Sequence, residues 1–287
     1  MNETDANWTV ITGSTGGIGG EIVKILAARG DDMILVNRSE PKAQTQRSKL
    51  IANYPNLKVE LITVDLMDTA QIDTAVDKIG AFPGRIDALY NNSGVLTAER
   101  VLSAQGFESQ FAVNTLAPYQ LITGLRRKMA RPANETPAIV VNFSSSAVNA
   151  QKTLELGNLA DPEKVGGIMG TYAQTKLAVT ALSAALSDDL KSDNILIRAI
   201  DPGATRTAMT TSGNSAMPKP LQWLATFFFS PADKQAAKLV DGADPQAFGS
   251  RSGIYIANRK EKKLPKAAAD AKMQKELVAL LERLLHG

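Results

Sequence analysis

W-T-V-I-T-G-S-T-G-G-I-G, residues 8–19, decides the fold. Trp8–Ile11 is a short strand-like run that breaks into a glycine turn. The turn opens a long helical pattern through Glu21, Ile22, Val23, Ile25, Leu26, Ala27 and Ala28, closed by Gly30. Strand, glycine turn and helix in that order point free backbone N–H groups and a positive dipole end at a phosphate. Gly13, Gly17 and Gly19, with Ser14 and Ile18 between them, would let backbone approach a pyrophosphate and let the helix pack tightly on a sheet. Glycine clusters alone mark ordinary turns. The T-G-x-x-x-G-x-G spacing between a strand and a helix is what points to a nucleotide.

Outward from that turn, strands and helices alternate. Met33–Asn37, M-I-L-V-N, reads as the second strand, with Arg38 after it. In a dinucleotide fold the residue ending this strand faces the adenosine ribose. A carboxylate there binds the 2′-hydroxyl of NAD, whereas an Arg accommodates the 2′-phosphate of NADP. Asn37 and Arg38, with no acid at the strand tip, favour NADP over NAD, although a bare Arg after a strand is often simply solvated. Residues 39–53 read as a polar helix and 57–64 as a strand running into Asp65 and Leu66. That Asp can accept from an adenine amino group or can begin a turn.

Residues 68–80 supply the next helix and Ile86–Tyr90 the next strand, ending N-N-S-G at Asn91–Gly94. Asn92 and Gly94 permit close approach of a cofactor, and an ordinary turn looks the same. Residues 105–129 read as one long helix interrupted by Pro118, with Asn114 in an apolar segment where its amide needs partners. Ala138–Phe143 is the fifth strand. Ser144, Ser145 and Ser146 follow it, at the strand end where parallel sheets place their ligands. Residues 194–200 form a sixth strand ending D-P-G-A-T-R-T, with Pro202, Gly203, Thr205 and Thr207. Residues 253–256 suit a last strand, and 277–285 an amphipathic helix. The expectation is an α/β fold: a doubly wound, mainly parallel Rossmann-type sheet with helices on both faces, in a single domain over 1–287.

T-Y-A-Q-T-K-L-A-V-T-A-L-S-A-A-L, residues 171–186, is Ala- and Leu-rich and free of Gly and Pro, so it reads as a helix. Tyr172 and Lys176 lie four apart and project from the same face. A phenol's ordinary pKa of about 10 suits proton transfer near neutrality poorly. A nearby ammonium would favour the phenolate and lower that value. An isolated Y-x-x-x-K is more often a half-buried Tyr beside a solvated Lys.

Composition narrows the functions. Charge is nearly balanced, 32 Lys and Arg against 29 Asp and Glu, far from the footprint of a nucleic-acid binder. With no Cys there is no disulfide framework, thiol chemistry or zinc–thiolate site, and the single His, His286, excludes His catalysis and His metal clusters. No run approaches the roughly 18 consecutive apolar residues of a membrane span. The opening M-N-E-T-D-A-N is acidic and polar, unlike a signal peptide, so the expected location is cytoplasmic. Residues 211–220 are rich in Ser, Gly and Pro and should be mobile. Trp223, Phe227, Phe228 and Phe229 suit either a core or interface cluster or an apolar substrate pocket.

Six motifs occur together in order: T-G-S-T-G-G-I-G at 12–19, N-N-S-G at 91–94, Asn114, the Ser run at 144–146, Y-A-Q-T-K at 172–176 and D-P-G-A-T-R-T at 201–207. In that order the chain resembles the short-chain dehydrogenase/reductase family over about residues 8–257. R-S-E after the second strand, the long Ser-to-Tyr gap and the aromatic run before Ser230 look most like its retinol-dehydrogenase-like branch. The resemblance implies a catalytic tetrad. Tyr172 would be general acid in carbonyl reduction or base in alcohol oxidation. Lys176 would hold the nicotinamide ribose and lower the Tyr pKa. Asn114 would anchor a water in a proton relay, and Ser145, with Ser144 and Ser146 close by, would hydrogen-bond the substrate oxygen.

Three departures stand out: Ser93 in place of Ala, Asp201 before Pro-Gly where His or Asn is usual, and an insertion at 147–171. The insertion is expected as a substrate loop, with 207–230 as a mobile substrate-side segment. The family often pairs subunits through helices like 105–129 and 172–190, so a homodimer or homotetramer is expected. The alternative is a non-catalytic dinucleotide-binding sensor or scaffold.

Overall fold

The computed structural model describes residues 7–166, 169–205 and 229–287. Eight strands, β1 (Asn7–Thr12), β2 (Asp32–Asn37), β3 (Val59–Thr63), β4 (Arg85–Asn91), β5 (Ala138–Phe143), β6 (Ile195–Asp201), β7 (Ile254–Ala257) and β8 (Lys260–Lys262), form one sheet in the order β3-β2-β1-β4-β5-β6-β7-β8. Every pair up to β7 is parallel, and β8 returns antiparallel along the edge. The chain winds outward from β1 to β3, then crosses back to β4. The crevice where that order reverses, at the carboxyl ends of β1 and β4, is where such sheets bind ligands.

Alternation along the strands divides the apolar residues between two layers. Val10, Ile34, Val36, Val140 and Ile197 pack against α3 (Thr69–Ala81), α4 (Ala117–Met129), α5 (Thr171–Ala185) and α7 (Ala271–His286). Ile11, Met33, Leu35, Val141 and Ile200 pack against α1 (Gly17–Arg29), α2 (Glu40–Asn53) and α6 (Ala232–Ala243). The fold is thus the doubly wound one that the sequence implies.

Pro118 does not interrupt the long helix. Helical structure starts at Ser109–Phe111, where the Glu108 carboxylate accepts from the Gln110 and Phe111 N–H groups. It widens into a π turn at Ala112–Leu116 and continues as α4. In the π turn the Ala117 N–H reaches back to Ala112 O, so Pro118 enters in the first turn of α4, where its missing N–H and its ring are tolerated.

Among the described residues, α6, the short helix Pro245–Phe248 and β8 have no counterpart in the sequence reading. The β7–β8 turn places Asn258 and Arg259 at φ 52° and 57°, two left-handed residues without the usual glycine to announce the hairpin. The insertion is packed rather than free: Val148, Leu154 and Leu159 are buried in the layer of α5. Helix α7 lays Leu277 and Leu281 onto that same layer and touches the 3-10 turn Leu156–Asn158. It thereby covers part of the helix face on which subunit pairing is expected. No described helix is long and apolar enough to cross a membrane. Residues 206–228, and with them Thr207, Trp223, Phe227, Phe228 and nearly all of the 207–230 segment, lie outside the described residues.

Candidate active site

The glycine turn is built by close approach. Gly13 and Gly17 adopt φ of 67° and 56°, which side-chain-bearing residues rarely adopt. A Cβ on Gly19 would stand 2.3 Å from Gly13 O and 2.5 Å from the Asn92 amide nitrogen. Asn92 is part of the turn's construction: its Nδ2 donates to Thr12 O at 2.8 Å and Gly13 O at 2.9 Å. The Thr12 hydroxyl takes the Ser93 N–H at 2.9 Å. N-N-S-G therefore ties the end of β4 to the turn after β1. The opening of α1 has no side-chain cap, which leaves its first N–H groups free for an anion.

At the tip of β2, Asn37 is buried and donates to Ser14 Oγ at 2.8 Å. Gln46 of α2 clasps the same serine, accepting from its hydroxyl at 2.8 Å and donating to its carbonyl at 2.7 Å. The Asn37 Oδ1 atom is buried with no partner among the described residues. Arg38 is exposed and in no ion pair among them. Asp65 closes a turn by accepting the Met67 N–H at 3.0 Å, and Leu66 packs on the core. Gly203, at φ 81°, donates to Asp201. Thr205 Oγ1 donates to Gly203 O at 2.8 Å, and Pro202 lies between Asp201 and Gly203.

Tyr172, Lys176, Asn114 and Ser145 converge at the carboxyl ends of β4 and β5. Lys176 is buried, and its ammonium donates to Phe143 O at 2.9 Å. Asn114, in the π turn, accepts the Val95 N–H at 2.8 Å and donates to Val95 O at 3.0 Å and Thr175 Oγ1 at 3.1 Å. Gly94 lies against both: a Cβ there would be 3.2 Å from Asn114 Oδ1 and 3.3 Å from Lys176 Nζ. Ser144 is turned into the core and bonded to Thr180 Oγ1 at 2.7 Å, and Ser146 is exposed. Ser145, between them, is the one whose hydroxyl acts on the Tyr172 phenol.

Burial pushes the Tyr172 hydroxyl up to about 12; Ser145 pulls it down, and Asp201 adds to the rise. Burial also lowers Lys176 to about 8. In the chain by itself, then, dehydration of the phenol outweighs any help from its lysine neighbour, contrary to the expectation from the i, i+4 spacing. Thr180, Gln46 and Tyr255 support these groups and carry no motif signal, and Thr175 supports Asn114 from inside Y-A-Q-T-K.

A family model for short chain dehydrogenases matches residues 7–157 and 161–218. Short-chain dehydrogenase TIC 32 A, chloroplastic, of Brassica napus is 31% identical over 69% of this chain, and the match spans 63% of that protein's length. Retinol dehydrogenase 13 of Mus musculus is 28% identical over 96% of this chain and 83% of its own. A short-chain dehydrogenase from Sphingobium yanoikuyae, solved in complex with NADPH, superposes with a TM-score of 0.66 at 23% identity, covering 98% of this chain and 95% of that one. The chain belongs to the short-chain dehydrogenase/reductase family, with retinol dehydrogenase 13 among the relatives it matches along most of its length.

Proposed function

We propose that this chain is an oxidoreductase that uses NADP to interconvert a carbonyl and an alcohol, with Tyr172 transferring the proton. The convergence of Tyr172, Ser145, Lys176 and Asn114 beside a glycine turn carries this reading. When bound, the nicotinamide supplies the hydride chemistry; the chain supplies position and proton delivery. Tyr172 is the acid in reduction and the base in oxidation. Ser145 shares the substrate oxygen with it.

The cradle at Gly94 supports a ribose held by Lys176, and Asn114 fixes the loop that forms the cradle. The exposed Arg38 and the absence of an acid at the β2 tip support the 2′-phosphate of NADP, as does the NADPH bound by the Sphingobium enzyme. An apolar substrate is supported by the relative named for retinol and by exposed Val101, Leu102 and Met169. These sit on two loops joined through Arg100 and Asp161 and by the Glu108 N–H bond to Ala160 O at 2.7 Å.

Nicotinamide fluorescence titrated with NADPH and NADH tests the cofactor. NADPH should bind tighter, and Arg38→Ala should erase the difference; tighter NADH binding would overturn the assignment. Turnover with NADPH across a panel of aldehydes, ketones and quinones tests the reaction. Tyr172→Phe should keep the NADPH affinity and lose about 100-fold or more in kcat. Binding without turnover on any carbonyl would leave the non-catalytic sensor.

A further inference from the structure

Asp201 is a buried acid that this mechanism does not use. Asp201, at the end of β6, is 7% exposed. Its Oδ1 accepts the Gly203 N–H at 2.8 Å and its Oδ2 the Tyr255 hydroxyl at 3.4 Å, and the Ser146 N–H stabilises its charge as well. Tyr255 is in turn engaged by the Asn149 side chain, which also donates to Ser146 O at 3.2 Å. The carboxylate therefore grips the 3-10 turn Ser146–Ala150 twice, at Ser146 directly and at Asn149 through Tyr255. Ser145 caps that turn, accepting the Ala147 N–H at 3.3 Å, and its hydroxyl reaches Tyr172.

We infer that Asp201 is a positioning residue that sets Ser145 against Tyr172 through the Ser146–Ala150 turn, gripping it when ionised and letting go when protonated. This rests on the Tyr172 reading above. An ionised carboxylate only accepts, and here three donors converge on it; a proton on one oxygen removes the charge that strengthens these bonds and takes up one acceptor site. The titratable groups acting on it among the described residues are Tyr255 from β7 and Lys238 from α6, and its charge is felt by Tyr172 on α5. Gly203 and Ser146 contribute N–H groups alone. Burial raises the Asp201 pKa from its ordinary value, against the pull of its donors and Lys238, so the switch falls closer to neutrality than for an exposed aspartate. Ionised Asp201 also raises the Tyr172 pKa.

The test is the pH profile of NADPH-dependent reduction in the full chain. Wild type should lose kcat on the acid side. Asp201→Asn, which mimics the protonated carboxyl, should be about tenfold slower at pH 8, match wild type at acid pH and show no acid limb. Its NADPH affinity should be unchanged. Tyr255→Phe removes one donor from the carboxylate and should move the acid limb to higher pH, a shift that a merely structural role would not produce. An acid limb that persists in Asp201→Asn, or stays in place in Tyr255→Phe, overturns the inference. Failure of the Tyr172 reading would show separately, as undiminished turnover in Tyr172→Phe.

Discussion

The Lys176 ammonium donates to the Phe143 carbonyl at 2.9 Å, while its nitrogen stands 5.9 Å from the centre of the Tyr172 ring. The end of β5 thus fixes the lysine, and the phenol lies alongside it rather than at its end. This places a charge in a dehydrated pocket, an arrangement that folding alone does not favour.

Lys176→Met should therefore separate function from stability. Burial holds the Lys176 pKa near 8, below its ordinary value, so the folded state releases the proton before the unfolded chain does. The stability contributed by this group is least below pH 8 and rises as pH climbs from there to the unfolded value. The variant should melt at or above the wild-type temperature at pH 7, with the gap narrowing by pH 10, and lose about 100-fold or more in turnover. Calorimetry at the two pH values checks the sign. A variant that melts far below wild type at pH 7 would mean that the ammonium is a net structural asset.

Within the turn, position 19 should be intolerant of a side chain and position 16 tolerant. An added Cβ meets backbone at 2.3 Å on Gly19 but nothing within 4 Å on Gly16, whose φ of −177° any residue can adopt. Gly19→Ala should abolish NADPH binding, whereas Gly16→Ala should shift the affinity less than about threefold. Equal losses in the two variants would show that the phosphate approaches over Gly16 instead.

The parts legible in the sequence are those written in local spacing. The glycine turn, the Tyr172–Lys176 face and the strand–helix alternation depend on neighbours within a turn or two, where side-chain direction follows from the backbone. Asn92 is different, because its work is done on Thr12 and Gly13, far away in sequence and visible only once β1 and β4 pair. The choice of Ser145 over Ser144 likewise waits on where β5 ends, since one residue's shift sends a side chain to the opposite face. The Tyr172 shift runs opposite to the sequence expectation because sequence shows a charged neighbour but not how much water surrounds it.

Helix α7 should keep the chain from pairing through α5. Leu277 and Leu281 are fully buried beneath it, and the Tyr119 hydroxyl reaches Glu282 at 3.5 Å from α4. Light scattering of the full chain should give the mass of a single chain. Leu281→Ala should cost about 2–5 kcal/mol. Truncation before Ala271 should expose the α5 face and produce dimers or aggregates. A full-length dimer that survives this truncation unchanged would place the contact on another surface.

Gln174 should control what the site accepts without touching the reaction. It lies on α5 two residues beyond Tyr172, and its amide nitrogen donates to Gln151 Oε1 at 2.8 Å and Thr153 O at 3.0 Å, while its oxygen takes the Glu155 N–H at 2.9 Å. Gln151 continues the chain of contacts, donating to Met169 O at 2.8 Å at the far end of the insertion. Gln151, Glu155, Met169, Thr171 and Gln174 border a cavity of about 560 Å3. One side chain thus fastens the wall of this cavity to the helix that carries Tyr172. Gln174→Leu keeps the volume and removes three hydrogen bonds, each worth about 1 kcal/mol, so the segment should open locally well before the fold does. Proteolysis should quicken within 151–169, and KM should rise for bulky substrates while kcat on small ones and NADPH affinity hold. Unchanged cleavage together with an unchanged KM would show that the buried Leu154 and Leu159 alone hold the insertion in place.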